Sequence, residues 1–466
     1  MLTYFPRYFS SKAIICYVAT LALVSALFMN YVMPFQFMLF GIVSVSLFFD
    51  YCNKQTMRWH RFSPKVFKKQ LFKSALTIRI AYVIFVYFYY IEMTGLPFMY
   101  HPADEYGYHT VAILFRDEGW DIYNRYVKTY SLSDRGYFYW LGMVYGIFGN
   151  YLLAGRLVKC VVDAFSCVLI YNLAKRNFGE YTGRMASVFY MLMFNAWYYC
   201  GITLKETEMS FLVLLFVERG DLVMHSKKIT VKNLLLPGLV ALVMFTFRTA
   251  MAAVLIAAIV MAIVLSSGKQ LELWKKMIYG ALFAGWMFMT VGAEIIQETQ
   301  ELWSGRTGNQ SAGYEWRAER AGGNSFAKYA SATLFAPAIF TIPFSTMVAI
   351  PNQENQMMVH GGNFAKNIMS GFTIFALFVL LFSGDWRKHV LPIATLCGYL
   401  LVLAFSNFAH SERFHFPMLG LELLFAAYGV SQATNKQKRW FTLWLIFICL
   451  ANIGWAYIKL AGRGMA

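Results

Sequence analysis

Apolar runs of about 17 to 24 residues recur along nearly the whole chain, each closed by a short charged or Gly/Pro-bearing loop. A helix rises about 1.5 Å per residue, so such a run crosses a hydrocarbon slab of about 30 Å. Lipid offers no partner to an open strand edge, which leaves helices as the spanning element. Composition agrees: 59% of the 466 residues are hydrophobic and 14% charged, where a soluble domain carries about a quarter charged. The expected fold class is an all-α polytopic membrane protein.

A net charge of +17 would suggest a nucleic-acid partner in a soluble chain, but here its distribution decides. Basic residues gather between alternate apolar runs: Lys54, Arg58, Arg61, Lys65, Lys68, Lys69 and Lys73; Lys175 and Arg176; Arg219, Lys227, Lys228 and Lys232; Lys269, Lys275 and Lys276; Arg387 and Lys388; Lys436, Lys438 and Arg439. The positive-inside rule places these loops in the cytoplasm, and nucleic acid is not needed to explain them. The seven cysteines are scattered singly, Cys160, Cys167 and Cys449 inside apolar runs, so neither a disulfide framework nor a metal cluster is expected. No small-residue cleavage pattern follows the first apolar run, and no cleavable signal is expected.

On this pattern the chain divides into four parts. Residues 1–75 form a transmembrane hairpin, about 13–29 and 31–50, and a basic cytoplasmic loop; the hairpin reads as an added N-terminal module. Residues 76–293 form the core, with a first external loop at 100–151 between the helix at about 76–99 and the descending helix at 152–174. Within that loop, Ile122, Tyr123, Tyr126, Val127 and Tyr130 share one helical face, and 137–149 is short and aromatic, so both read as helices in the headgroup plane. Runs at 184–201, to Val217, 233–247, 249–267 and 277–293 follow. Residues 294–366 read as an outer region, with 333–351 interfacial or re-entrant and NQENQMMVHGGN in its loop. Residues 367–466 add crossings at 367–383, 390–407, 415–430 and 441–459. The total is about 13 crossings with the N-terminus inside.

This topology collects a set of charged residues at one membrane face. Asp104 and Glu105 lie just beyond the third apolar run, Lys205 and Glu206 in ITLKETEM, Arg248 between two apolar runs, and His410, Glu412, Arg413 and His415 in AHSERFHFP. Charge near a bilayer is costly and is usually kept for a purpose. Transfer of a sugar from a polyprenyl-phosphate carrier needs a base for the acceptor hydroxyl and cations for the departing lipid phosphate. Asp104 is the expected base, with Glu105 orienting the acceptor or serving in its place; Lys205, Arg248 and Arg413 are the expected phosphate ligands. Glu206, His410, Glu412 and Tyr108 are candidates for acceptor or sugar contact. One essential carboxylate suffices for an inverting displacement, unlike glycoside hydrolysis with its pair. Blander readings stand beside these: solvated acids, as for Asp117, Glu118 and Asp121; a snorkelling Arg248; a Lys205–Glu206 or Lys205–Glu208 bridge; an Arg156 that anchors a helix start. Asn309-Gln310-Ser311 matches a glycosylation acceptor, a weak three-residue pattern.

The string DEYGYHTVAILFRDEGW directly after an apolar helix resembles the acidic first-loop motif of the GT-C superfamily, the multi-pass glycosyltransferases that use lipid-phosphate sugars. The stretch from YFYWLGMVYGIFG to MLMFNAWYY resembles family 39, with an aromatic interfacial helix ending in Phe-Gly, an Arg-Leu pair opening the next helix, and a basic pair with Phe-Gly at that helix's far end. SERFHFPMLGLELLFAAYG is similar to the Glu-Arg-aromatic-x-x-Pro segment of the same enzymes. The likeness runs over about residues 76–430 and implies Asp104 as catalytic base, Glu105 as its paired acid and Arg413 near the donor phosphate. It departs from the family in the N-terminal hairpin and in Lys205–Glu206. It implies a GT-C-like bundle, a polyprenyl-phosphate-sugar donor, a glycolipid, polysaccharide or protein acceptor, and a bacterial cytoplasmic membrane with the site facing outward. No cofactor is required by that precedent; a divalent metal is optional, and no His or carboxylate spacing demands one. The alternatives are an O-antigen polymerase or ligase, and a non-enzymatic flippase or transporter of lipid-linked saccharides, although no internal repeat supports the latter.

Overall fold

A computed structural model describes residues 2–119, 121, 132–226, 231–265, 285, 336–406 and 409–465. The described residues are helical almost throughout, with one isolated bridge between Val32 and Val348. Eight helical stretches among them are long and apolar enough to cross a bilayer: Arg7–Leu27, Phe35–Arg61, Pro64–Thr94, Leu152–Phe178, Glu354–Ser383, Asp385–Ala404, Glu412–Gln432 and Lys438–Ala461. Two shorter apolar helices, Val231–Phe247 and Thr249–Leu265, meet at Arg248. The all-helical class stands, while 13 crossings is a larger number than the described spans supply.

The helices needed to place the site are α1 (Arg7–Leu27), α2 (Phe35–Arg58), α3 (Pro64–Thr94), α4 (Ala103–Glu118), α5 (Leu132–Phe148), α6 (Leu152–Phe178), α7 (Glu180–Leu192), α8 (Phe194–Cys200) and α9 (Glu206–Met224). Local chemistry sets the bounds of α3. Ser63 Oγ accepts from the amide of Val66 at 3.4 Å and Pro64 opens the first turn, while Gly95, at φ 77°, closes the helix in a conformation that side chains resist.

Several expected boundaries move. The run at 184–201 is two helices, α7 and α8, broken at Met193. A break inside the apolar layer frees carbonyls that lipid cannot satisfy. Here the Met191 carbonyl accepts from Trp197 Nε1 at 2.8 Å and from Arg79 Nη1 at 3.3 Å. The segment NQENQMMVHGGN is not an outer loop: from Glu354 it forms the opening turns of the helix to Ser383, and Met357–Asn363 are buried. Residues 341–353 are irregular and do not span. The headgroup-plane helix at 122–130, the crossing at 277–293 and the Asn309 pattern lie outside the described residues.

The N-terminal hairpin is no appendage. Tyr17 on α1 hydrogen-bonds His360 at 2.7 Å, and a Cβ added to Gly361 would lie 2.8 Å from Gly41 Cα, so α2 packs backbone to backbone against the helix Glu354–Ser383. The same helix meets Leu419–Gln432 closely, since a Cβ at Gly429 would stand 2.1 Å from the Phe372 carbonyl oxygen. Small residues at such crossings let backbones approach where lipid supplies no hydrophobic drive.

Charge inside the bundle is paired. Arg79 on α3 and Asp163 on α6 are both fully buried and joined through Arg79 Nε, and Tyr190 donates to the other Asp163 oxygen at 2.6 Å. Removing one partner strands the other. Asp163→Leu is therefore expected to destabilise the protein in detergent by about 3–5 kcal/mol, with Arg79→Met/Asp163→Leu recovering most of the loss. Thermal unfolding of the three proteins checks this; equal losses in single and double variants would refute it.

Candidate active site

Neighbouring residues in a helix diverge by about 100°, and that angle separates the two acids at the start of α4. Both occupy its first turn, where the helix dipole favours negative charge. Glu105 turns inward and is 0% exposed; the Asp104 side chain turns outward and is 56% exposed.

Glu105 is saturated. Its Oε1 accepts from Arg156 Nη2 at 2.7 Å and from the Thr203 amide at 2.5 Å, and its Oε2 accepts from the Met99 amide at 2.8 Å. Arg156, near the start of α6, also donates to the Pro97 carbonyl at 2.6 Å. Lys159, one turn on, donates to the carbonyls of Ile202, at 2.8 Å, and Leu204. Two cations of α6 and one carboxylate of α4 thus hold the buried segment 201–205 against the first loop. The expectation that Arg156 anchors a helix start becomes a stronger role, that of joining three segments.

What 201–205 carries next is the site. Glu206 opens α9, is 0% exposed, and accepts from Arg413 Nε at 2.5 Å; Arg248 Nη2 lies 3.8 Å from the same oxygen. Arg413, on the short helix Glu412–His415, bonds Asp104 through Nη1. Arg248 reaches the Tyr399 hydroxyl at 3.1 Å and stacks 4.2 Å from the Phe414 ring centre. So Asp104, Glu206, Arg248 and Arg413 converge from four separate stretches of chain. Glu206 Oε2 is buried and has no hydrogen-bond partner among the described residues.

Lys205 lies beside this group but faces another acid. Its ammonium donates to Asp134 Oδ1 and to the Ser133 carbonyl, both at 2.6 Å. Burial pushes its pKa down, an effect opposed by the Asp134 charge. Tyr108 donates to the same Asp134 oxygen at 2.7 Å, and burial pushes its phenol well above the usual range. Asp134, in the first turn of α5, went unnoticed in the sequence; its only signal was an acid directly before an aromatic interfacial run.

The remaining candidates lie further out. His410 has its ring 6.4 Å from that of Trp455, and Glu412 is half-buried at the start of the Arg413 helix. His415 bonds the Ala409 carbonyl at 2.7 Å and lies 3.3 Å from Lys366 Nζ, so it braces the loop before Arg413. No three of His, Cys, Asp and Glu are grouped to hold a metal among the described residues.

Residues 136–293 match the family model of the dolichyl-phosphate-mannose-protein mannosyltransferases, so the expected kinship with lipid-phosphate-sugar glycosyltransferases is met over that segment. Among solved structures, the chain is similar to the archaeal oligosaccharyltransferase AglB from Archaeoglobus fulgidus in complex with an inhibitory peptide and a dolichol-phosphate, at 13% identity and a TM-score of 0.42. That likeness covers 86% of this chain, which spans 56% of the length of AglB. No curated protein matches the chain.

The Glu105 bonds make a testable claim about shape. Glu105→Gln keeps the volume but leaves Arg156 a buried cation without its counter-charge, so stability should fall by about 3 kcal/mol. Protease cleavage within 97–119 should rise in parallel; unchanged melting and cleavage would show that the pair does not hold the loop.

Proposed function

We propose that the chain is a membrane glycosyltransferase that moves one sugar from a polyprenyl-phosphate-linked donor to a hydroxyl of a glycolipid, polysaccharide or protein acceptor. The observation that carries this reading is the Arg413 guanidinium held between Asp104 and Glu206, with Arg248 beside Glu206. An exposed carboxylate bonded to one arginine, with a second arginine across the shared acid Glu206, suits a reaction that removes a proton and releases an anion. The family match over 136–293 supports a lipid phosphate as the carrier.

In this mechanism the acceptor oxygen attacks the anomeric carbon while its proton passes to Asp104. The bond from that carbon to the phosphate oxygen breaks, and the electron pair leaves with the polyprenyl phosphate. A single displacement of this kind inverts the anomeric centre. Arg413 and Arg248 stabilise the charge that develops on the phosphate. The donor phosphate competes with Asp104 for Arg413, so donor arrival frees the carboxylate to act as base. The buried, unpartnered Glu206 Oε2 supports a role in accepting from a sugar or acceptor hydroxyl once Arg413 moves to the donor phosphate. Glu105 then serves as a positioning residue rather than as a second acid, because its lone pairs are committed to Arg156, Thr203 and Met99. Lys205 acts through Asp134 to hold α5 against the site. We place the site on the extracytoplasmic face of a bacterial cytoplasmic membrane, opposite the basic loops.

Asp104→Asn should lower transfer from a radiolabelled polyprenyl-phosphate sugar by about 10²–10⁴-fold with donor binding retained, whereas Arg413→Gln should weaken donor binding itself. Wild-type turnover by Asp104→Asn in membranes would remove the proposed base.

A further inference from the structure

Helix α3 is 31 residues long, about 46 Å at 1.5 Å per residue, and exceeds the hydrocarbon layer of about 30 Å by about 16 Å. Its C-terminal end leads straight into α4 and Asp104, so the excess is accommodated at the other end, over the first ten or so residues. Those residues carry Lys65, Lys69 and Lys73, spaced four apart and all exposed. The spacing puts them on one stripe that climbs about 6 Å per step, through the depth that phospholipid headgroups occupy. None of the three has a hydrogen bond or ion pair among the described residues.

The stretch of sequence is as one-sided as the stripe, and Glu180, the acid across the turn, is already paired with Lys175 and Arg184. From Tyr51 to Ile91 the chain holds eight Lys and Arg residues and no acid. Asp50, at the edge of this stretch, is taken by Lys54 at 2.5 Å. Arg58 and Arg61, exposed at the end of α2 and in the turn before α3, add to the same field. That turn is held firmly. Arg184 donates to the carbonyls of Trp59, His60 and Phe62 at 2.7, 2.9 and 2.6 Å, and His60 stacks on Tyr181 with ring centres 4.5 Å apart. A rigid support keeps cations pointing outward without a partner of their own, which a loop serving only to set orientation does not require.

We propose that the Arg58–Lys73 face is a binding site for anionic phospholipid headgroups of the leaflet opposite the catalytic site, with Lys65, Lys69 and Lys73 as its phosphate ligands. Near an anionic surface each such cation is worth about fivefold in affinity, so three together make a selective site. The inference rests on α3 and not on the glycosyltransferase reading, and either can fail alone.

The test uses the intact protein in nanodiscs of phosphatidylglycerol and phosphatidylcholine in equal amounts, followed by mass spectrometry of the lipids that stay bound on release. The wild type should retain phosphatidylglycerol several-fold over its share of the disc, and Lys65→Gln/Lys69→Gln/Lys73→Gln should bring retention to that share. Lys436→Gln/Lys438→Gln, in a second basic segment, should leave it unchanged. A wild type without selectivity overturns the proposal, even if the triple variant fails to accumulate. A selective triple variant, or an equal loss in the Lys436/Lys438 variant, overturns it as well.

Discussion

The bond between Glu105 and Arg156 is the interaction on which the proposed site depends. Asp104 follows the helix axis of α4, and that axis is set by Glu105 one residue later. Glu105 ties α4 to α6 through Arg156, to the segment that follows α3 through Met99, and to 201–205 through Thr203. Glu206 is the next residue after that segment. The two acids that grip Arg413 therefore take their positions from one buried carboxylate that does not itself bond Arg413. A buried ion pair of this kind adds little net stability, since desolvation offsets most of its attraction. Its value is geometric: if either partner is removed, the other becomes an unpaired buried charge, so the loop has one low-energy arrangement.

The same economy runs through the interior. Arg79 pairs with Asp163, Lys366 lies 3.5 Å from Glu422, and Lys459 is held by Thr346 at 2.6 Å and Gln353 at 2.9 Å, each within helices that cross the apolar layer. These groups stitch distant stretches together. Lys366 also donates to the Ile342 carbonyl at 2.7 Å, and Asn452 accepts from the Ser345 amide at 2.8 Å. Irregular backbone at 341–353 is thus satisfied by side chains from neighbouring helices, the condition under which non-helical chain persists near lipid.

Charge is arranged differently near the two ends of α3. At one end acids and arginines interlock, with Asp104 the most exposed of them; at the other, Lys65, Lys69 and Lys73 stand exposed, while the acids there, Asp50, Glu180, Glu218, Asp221 and Asp385, are already paired with other cations. The first arrangement suits a ligand that must displace an internal counter-ion, and the second suits a diffuse anionic surface that meets no competitor. The two ends are separated by the length of α3.

The amino-acid sequence alone determined the helical class, the apolar runs long enough to span a bilayer, and the set of polar residues from which a site could be drawn. Asp104, Glu206, Arg248 and Arg413 all stood out because charge is scarce in an apolar chain. Which of them pair did not. Asp104 and Glu105 look equivalent as letters, and only the 100° step of a helix packed on one side decides that one faces water and the other Arg156. Asp134 gave only a faint signal, because its contacts with Lys205 and Tyr108 join residues 71 and 26 positions away. The hairpin at 7–58 read as an addition because hydropathy records the length of a run and not what it touches. Hydropathy is a local quantity, so it found runs long enough to cross lipid; pairing between helices is nonlocal, so it was left to tertiary packing to decide which charges meet.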